Sequence, residues 1–409
     1  MTTEERLSTR AAAERLGVKP ETVYAYVSRG LLSSRRAPGG RGSTFDPGEV
    51  DALARRNRRA AQQPAEDAGT AAVRTAITLI EADRYYFRGV DATALAGRYG
   101  YEEVTEWLWT GVLRHGVRFT APPEALKAAR RAVAALPAHS GPMDRLRATA
   151  VAAAVADPLR FDLSPGAVLG AARGLIPTLV RALPAAGIPH PGEGRLAWRL
   201  WSRLSGRPCD EASLRVLDAA LVLLIDHDLA ASTLAVRIAA SARAHPYAVV
   251  SAGLGALDGP LHGAASGLAH RMLAEVLDRG SAAAVVADHL RAGRGVPGLG
   301  HRLYRGEDPR AVMLFRLLED VPYAEQALAA AREVAATTAR HTPLHPNVDL
   351  ALAVLSVSAG MVPEAGETVF SVARTAGWIA HALEEYGEPP LRMRPSGHYV
   401  GPRPPVPVP

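Results

Sequence analysis

Four short segments in the second half of the chain place ionisable side chains where a packing core has no use for them. In Gly259-Pro260-Leu261-His262-Gly263-Ala264, a His stands between a Gly-Pro turn and the start of a helix running to about Gly280. The positive end of a helix macrodipole lowers the pKa of an imidazole there and keeps it neutral, able to donate a hydrogen bond to a developing enolate. Taken alone, His262 reads equally well as a loop histidine capping a turn. In Val296-Pro297-Gly298-Leu299-Gly300-His301, glycines let backbone approach a ligand closely before His301, and Arg302, Arg305 and Arg310 follow. One imidazole among so many guanidiniums suits an anionic substrate or the phosphates of a nucleotide-like cofactor; the bland alternative is a basic loop. In His345-Pro346-Asn347-Val348-Asp349, a carboxylate leads into the apolar run Leu350 to Val357. Apolar surroundings raise a carboxyl pKa, as a base for a carbon acid requires, although an Asp before an apolar helix is more commonly its N-cap.

Two further residues invite an anion. Arg374 is the only formally charged side chain from Phe370 to Leu383, so its helix buries it, and a buried guanidinium needs either a structural carboxylate or a substrate carboxylate. His227 sits in Asp226-His227-Asp228 between apolar runs, and its two neighbours are expected to hold it protonated as another anion ligand.

These side chains must be carried by helices. Apolar residues recur at helical spacing through Ala- and Leu-rich windows such as Glu103 to Trp109, Ala212 to Ile225, Gly267 to Val276 and Thr368 to Glu385, while period-2 runs of β-branched residues are scarce. The expectation is an all-α body. At 409 residues with 48% hydrophobic and 22% charged residues, the chain can fill a large core and has no disordered composition. The single cysteine, Cys209, excludes an intrachain disulfide and cannot alone form a thiolate metal site, so no metal centre is expected. Apolar runs such as Ala219 to Ile225 fall far short of the ~18 residues a membrane span needs, and the N-terminus lacks a signal-peptide core. A reducing, cytoplasmic setting is the expectation, with no membrane association.

The charge is unevenly placed. Residues 1–60 hold 12 Lys or Arg against 7 Asp or Glu, a net of +5 out of +6 for the whole chain. Leu7 to Gly17 reads as a short helix closed by Gly, and Pro20 suits the first turn of a second helix, Glu21 to Ser28. Arg35, Arg36 and Arg41 then surround Pro38-Gly39-Gly40 like a basic wing, and Arg55, Arg56, Arg58 and Arg59 follow on a helix. This pattern resembles the winged helix-turn-helix of MerR-type and excisionase-type modules, with Thr22, Tyr24 and Ala25 toward the major groove and the arginines on phosphates. The bland alternative is a packing or protein-contact module with solvated arginines. Lys19 stands where a Ser or Asp would cap the second helix better. The organisation read from sequence is a basic module over 1–60, a linker over 61–70, a body over 71–401 and a flexible tail over 402–409.

Taken in order, the body's segments resemble the citrate synthase family from about Ala76 to Gly401. The stretch around His262 is similar to that family's GPLHGGAN, Val296 to Arg310 to its PGxGHxxxxxxDPR, His345 to Asp349 to its PNVD, Arg374 to its xxRxxG helix, and Arg394-Pro395 with Tyr399 and Gly401 to its RPxxxYxG. Tyr86 to Asp91, Tyr101 to Gly111 and Pro142 to Arg147 resemble its N-terminal segments. The resemblance implies a large helical domain with a smaller helical domain, roughly within 260–370, closing over a cleft in a homodimer. It implies that Asp349 takes a proton from acetyl-CoA, that His262 stabilises the enol or enolate, and that His301 polarises and protonates the ketone of oxaloacetate, before citryl-CoA is hydrolysed to citrate and CoA. It further implies that His227, Arg310 and Arg374 hold the oxoacid carboxylates, that Arg394 reaches in from the partner subunit, and that Arg305 meets a CoA phosphate. No permanently bound cofactor is implied; acetyl-CoA is a co-substrate. Ala264 and Ser266 replace a Gly and the Asn of GPLHGGAN, and Ala230 replaces an Asn in the family's HELNAST, which removes a polar group near the oxoacid. A 2-methylcitrate synthase using propionyl-CoA, and a DNA-binding regulator with a metabolite-sensing body, are the alternatives.

Overall fold

The computed structural model describes residues 6–16, 18, 20–28, 32–36, 43–62, 73–81, 83–188, 194–259, 262–393 and 398–401. The expected linker (from residue 63 on) and the tail 402–409 lie outside them, as do Lys19, Pro38 to Arg41 and Arg394. The chain divides into two compact units, one of residues 1–73 with 395–409, the other of residues 74–394.

In the first unit, β1 (Leu7–Ser8) leads into α1 (Thr9–Leu16) and α2 (Pro20–Ser28), followed by β2 (Ser34–Arg36), β3 (Ser43–Phe45) and α3 (Pro47–Gln62). Leu7, expected to open a helix, instead pairs with Phe45 in an antiparallel sheet of order β1-β3-β2. Phe45 is fully buried with Ala13, Val23, Val50 and Leu53, so the sheet closes a small core under the helices. Tyr24 is 50% exposed on α2.

The second unit is mainly helical, but not purely so. Its first elements form a three-stranded antiparallel sheet, β4 (Thr78–Glu81), β5 (Arg84–Phe87) and β6 (Val90–Asp91), which corrects the all-α expectation. On β5 burial alternates, with Tyr85 and Phe87 inside, a period-2 signal only four residues long. Positive φ at Arg88 (47°) and Gly89 (80°) makes the tight turn from β5 to β6.

The helices follow as α4 (Ala92–Ala96), α5 (Tyr101–Thr110), α6 (Pro123–Ala134), α7 (Pro142–Val155), α8 (Pro165–Ala182), α9 (Leu196–Leu204), α10 (Glu211–Leu223) and α11 (Ala231–Ser241). After these come α12 (Pro246–Leu257), α13 (Ala265–Arg279), α14 (Ala282–Arg291), α15 (Pro309–Leu318), α16 (Glu325–Ala339), α17 (Val348–Ser358) and α18 (Ala365–Tyr386). Proline opens five of them, where its missing N–H costs nothing. Helix α18 is central: residues 371–382 are all buried, as expected of a helix apolar on every side. Glycines let its neighbours come close. A Cβ on Gly377 would stand 2.1 Å from the Ile225 carbonyl oxygen, and one on Gly253 would stand 2.7 Å from the Trp378 ring. The first of these contacts fixes the turn after α10, and with it His227, against α18.

Candidate active site

Asp349 lies in the first turn of α17, and the cap position that the bland reading gave it belongs to Asn347, whose side chain accepts from the Asp349 N–H at 3.0 Å. Asn347 also binds the His301 loop. Its N–H donates to the Gly298 carbonyl at 2.9 Å, its Nδ2 donates to the Gly300 carbonyl at 2.8 Å, and the Gly300 N–H donates to the His345 carbonyl at 2.7 Å. Gly298 and Gly300 hold φ of 81° and 79°, and a Cβ on Gly298 would stand 2.8 Å from Cβ of Leu350. The loop can therefore lie flat on α17 only with glycine there. Asp308 completes the frame: it caps α15, grips Arg310 through Nε (2.9 Å) and Nη2 (2.8 Å), and accepts from the Val348 N–H at 3.1 Å.

His301 and His227 meet edge to face with ring centroids 5.1 Å apart, and Tyr304 touches both, its hydroxyl 2.7 Å from His227 Nε2. The Leu303 N–H donates to His301 Nδ1 at 3.1 Å, which leaves the ring proton on Nε2. Burial, reinforced by Arg310, depresses the His301 pKa to about 4, so this imidazole is neutral. His227 moves the same way, through burial first and then Arg310 and Arg374. The reading of His227 as a protonated anion ligand is thereby overturned. Asp226 turns inward, accepting from Thr78 Oγ1 at 2.6 Å and lying 3.2 Å from His381 Nε2, while Asp228 turns out to solvent with φ of 58°.

Arg374 is 1% exposed. Its guanidinium lies 4.6 Å from the Phe370 ring centroid and Nε donates to the Leu224 carbonyl at 2.9 Å; among the described residues it forms no ion pair. Burial lowers its pKa to about 10, opposed by the charge on Asp226. Phe370 also meets His262, in the turn before α13, with ring centroids 6.2 Å apart. Its pKa is lowered, as the macrodipole argument expects, but burial and then Arg374 are the causes. The Asp349 carboxyl is pushed up to about 6 by burial, with Asp308 adding and Arg310 opposing. Arg310 acts electrostatically on His227, His301, Asp349 and Arg374 alike, which marks these groups as one cluster.

One expected residue stands apart from it and another is not among the described residues. Arg305 is exposed, its backbone N–H on Asp83 Oδ1 at 3.2 Å, and Arg394 lies outside the described residues. No local pattern singles out Ser232, whose Oγ lies 2.8 Å from His262 Nε2, or the contacts of Tyr304 with His227 and of Phe370 with His262, all of them distant in sequence. Arg310, expected as a carboxylate ligand, has its Nε and Nη2 on Asp308, two residues before it. Ala230 is the N-cap of α11 with no side chain to accept from the helix. Ala230→Asn is expected to stabilise the body by about 1 kcal/mol and raise its melting temperature by about 2 °C; calorimetry showing a lower midpoint would contradict this. Among the described residues no group of His, Cys, Asp and Glu is arranged to hold a metal, and no helix is long and apolar enough to cross a membrane.

A protein-family profile described as citrate synthase, C-terminal domain, matches residues 67–396. The citrate synthase of Acidithiobacillus ferridurans is 29% identical over 366 residues, covering 81% of this chain and 94% of that protein. A 2-methylcitrate synthase of Mycobacterium tuberculosis is 28% identical over 354 residues, covering 82% and 89%. A putative citrate synthase 2 from the same organism is 38% identical over 215 residues, covering 50% and 56%. Among solved structures, the citrate synthase of Thermotoga maritima superposes with a TM-score of 0.66 at 26% identity, covering 85% of this chain and 98% of that one. A Thermoplasma acidophilum citrate synthase, solved as a ternary complex with carboxymethyl coenzyme A and oxaloacetate, shares the fold with a TM-score of 0.69 at 23% identity, covering 83% and 96%. A raised carboxyl, three neutral imidazoles and a buried guanidinium thus sit in a chain whose family match spans most of its length: it belongs to the citrate synthase family and is an acyltransferase-type enzyme.

Proposed function

We propose that the chain condenses acetyl-CoA with oxaloacetate and hydrolyses the resulting citryl-CoA to citrate and CoA. The observation that carries this reading is the pairing of a desolvated carboxyl, Asp349, with neutral His262 and His301 beside Arg374, a buried cation with no carboxylate paired to it among the described residues. Asp349, ionised above about 6, removes a proton from C2 of the thioester. His262 holds the thioester oxygen as negative charge develops: Ser232 Oγ lies 2.8 Å from its Nε2, and the tautomer that serves this role accepts there from the hydroxyl and turns its Nδ1 proton to that oxygen. C2 then attacks the ketone carbon, the ketone oxygen takes the proton of His301 Nε2 as it becomes a hydroxyl, and the proton that Asp349 removed from C2 returns to that nitrogen, so both groups regain their starting forms. Water cleaves the thioester and releases CoA as the thiol. Arg374, the free Nη1 of Arg310 and a neutral His227 bind the oxoacid carboxylates, and the exposed Arg305 suits a CoA phosphate. Closure of residues 260–370 over this cleft belongs to the same reading, as does a cytoplasmic setting.

Thiol release from acetyl-CoA must then depend on oxaloacetate; an oxaloacetate-independent rate sinks the proposal. A panel including propionyl-CoA separates this activity from 2-methylcitrate synthesis. Ser232→Ala is expected to lower kcat about tenfold with the oxoacid KM unchanged, because only the His262 tautomer is released. Steady-state kinetics in which KM rises instead would place Ser232 in oxoacid binding.

Two further features belong to the proposal. Val151 and Val155 on α7, with Leu159 and Phe161 just beyond it, are exposed apolar side chains on one stretch of surface. A second copy of the chain is the occupant this reading assigns them, through a homodimer in which Arg394 completes the partner's site; sedimentation as a monomer would refute it. The first unit, with α1, α2 and the β2–β3 hairpin following, supports a winged helix-turn-helix reading with α2 on DNA. Gel shifts on the protein's own promoter, comparing the full chain with one starting at Gly69, test it; equal retention removes the DNA role.

A further inference from the structure

Resting on the synthase reading, we infer that Glu367 forms the end wall of the acyl subsite and selects thioesters whose acyl group carries a hydroxyl or similar hydrogen-bonding group over aliphatic ones of the same size. The placement comes from α18. Glu367, Phe370 and Arg374 recur at i, i+3 and i+7 and share one face. Phe370 touches both the Arg374 guanidinium and the His262 ring, so that face is turned to the site. Glu367 lies one turn further along it, at the end away from the oxoacid.

The first turn of α18 is wedged between the other two elements that flank the thioester. A Cβ on Gly366 would stand 2.7 Å from Ser266 Cβ in α13, four residues after His262, and 3.6 Å from Leu352 Cβ in α17, three residues beyond Asp349. Glu367 Oε1 itself reaches to 3.0 Å from where a Cβ on Gly267 would be. Since C2 of the thioester must lie between Asp349 and His262, a substituent on C2 that points away from Arg374 runs toward this turn.

The Glu367 carboxyl is half-buried and makes no hydrogen bond or ion pair among the described residues. The charged groups around it are Glu364 on its own helix, Asp258 at the end of α12, Arg271 on α13 and Asp349 on α17; Arg271 is paired with Glu364 at 3.3 Å and Asp258 with Arg147 at 3.0 Å. Burial, then Glu364, pushes its pKa up to about 7, so near neutrality it both donates and accepts. An aliphatic acyl chain laid against it would strip water from a polar group and return no bond, whereas a hydroxyl pairs with it. A carboxylated acyl group would face Glu364, Asp258 and Asp349 and be repelled.

Butyryl-CoA and 3-hydroxypropionyl-CoA differ only in a terminal methyl against a hydroxyl, and they are the probes. With oxaloacetate present, kcat/KM is expected to favour the hydroxylated thioester by about tenfold or more. Glu367→Gln should keep that preference within about threefold, and Glu367→Leu should bring it to parity or invert it. Glu367→Ala serves the same purpose if Leu overfills the turn. Calorimetric affinities of both thioesters for Asp349→Asn protein, with and without Glu367→Leu, read the pocket independently of turnover. A ratio near one in the parent protein, or a preference that survives Glu367→Leu, overturns the inference. If no thioester is turned over at all, the synthase reading fails, while the affinities still decide what Glu367 recognises.

Discussion

Asp349→Asn is expected to lose at least about a thousandfold in kcat and yet to be more stable than the parent protein at neutral pH. The loss follows from removing the carboxyl that acts as the base at C2. The gain follows from the cause of that pKa. Burial raises the Asp349 carboxyl from 3.8 to about 6, so the native state disfavours its ionised form relative to the unfolded chain. Stability therefore declines as pH climbs from about 4 to about 6 and is flat above, a cost of at most about 3 kcal/mol at pH 7 that Asn does not incur. The backbone N–H of residue 349 keeps its bond to Asn347 in the variant, so the start of α17 survives. Urea unfolding of both proteins at pH 4.5 and 7.5 checks the sign. The variant's advantage should shrink at the lower pH, and equal stability at pH 7.5 would remove the desolvation argument. In the parent enzyme, kcat/KM should rise tenfold per pH unit below about 6 and level off above it, the base being active only when ionised.

What the sequence showed of this site divides by the range of the interaction that decides each residue. Gly298 and Gly300 announced a close backbone approach, and the structure has one, because a glycine's use is a local backbone property. Asp349 could not be separated from an N-cap by pattern, since Asn347 and Asp349 both suit the start of a helix and only the cap hydrogen bonds decide between them. His227 was misread for a related reason. Adjacency placed Asp226 beside it, but the close contact of Gly377 with Ile225 turns that carboxylate toward Thr78 and His381, leaving His227 to the two arginines. Ser232 carries no signal, and nor does the contact of Phe370 with His262: those partners lie 30 and more than 100 residues away. The sheet of β4 to β6 was invisible because strands of two to four residues are too short for alternation to stand out from helical spacing. The ordered series of motifs compensated, since each position in it stands for a long-range contact that no local pattern states.

Arg374→Leu is expected to raise the oxoacid KM, or abolish saturation altogether, with kcat/KM falling about a thousandfold while stability changes by no more than about 2 kcal/mol. A guanidinium this deep normally exists to meet a carboxylate, and its removal from a structural ion pair would strand a buried charge at a cost of about 3 to 5 kcal/mol. Here the described residues supply no such pair. Asp226 is the nearby carboxylate that acts on Arg374, and its pKa is held down first by His381 and only then by Arg374, with Thr78 donating as well. Leucine would forfeit the bond to the Leu224 carbonyl and the stacking on Phe370, but it would also end the burial of a charge whose pKa is already drawn down to about 10. The two effects oppose each other, so folding is nearly indifferent to the substitution, whereas a dianionic substrate loses a charge-assisted partner in a site shielded from water. Melting curves recorded with and without oxaloacetate distinguish the cases: the parent should be stabilised by the oxoacid and Arg374→Leu should not. If instead the variant unfolds far more easily and whatever folds still binds oxaloacetate, Arg374 is a structural cation whose partner is Asp226, and the carboxylate site must be built from Arg310 and His227.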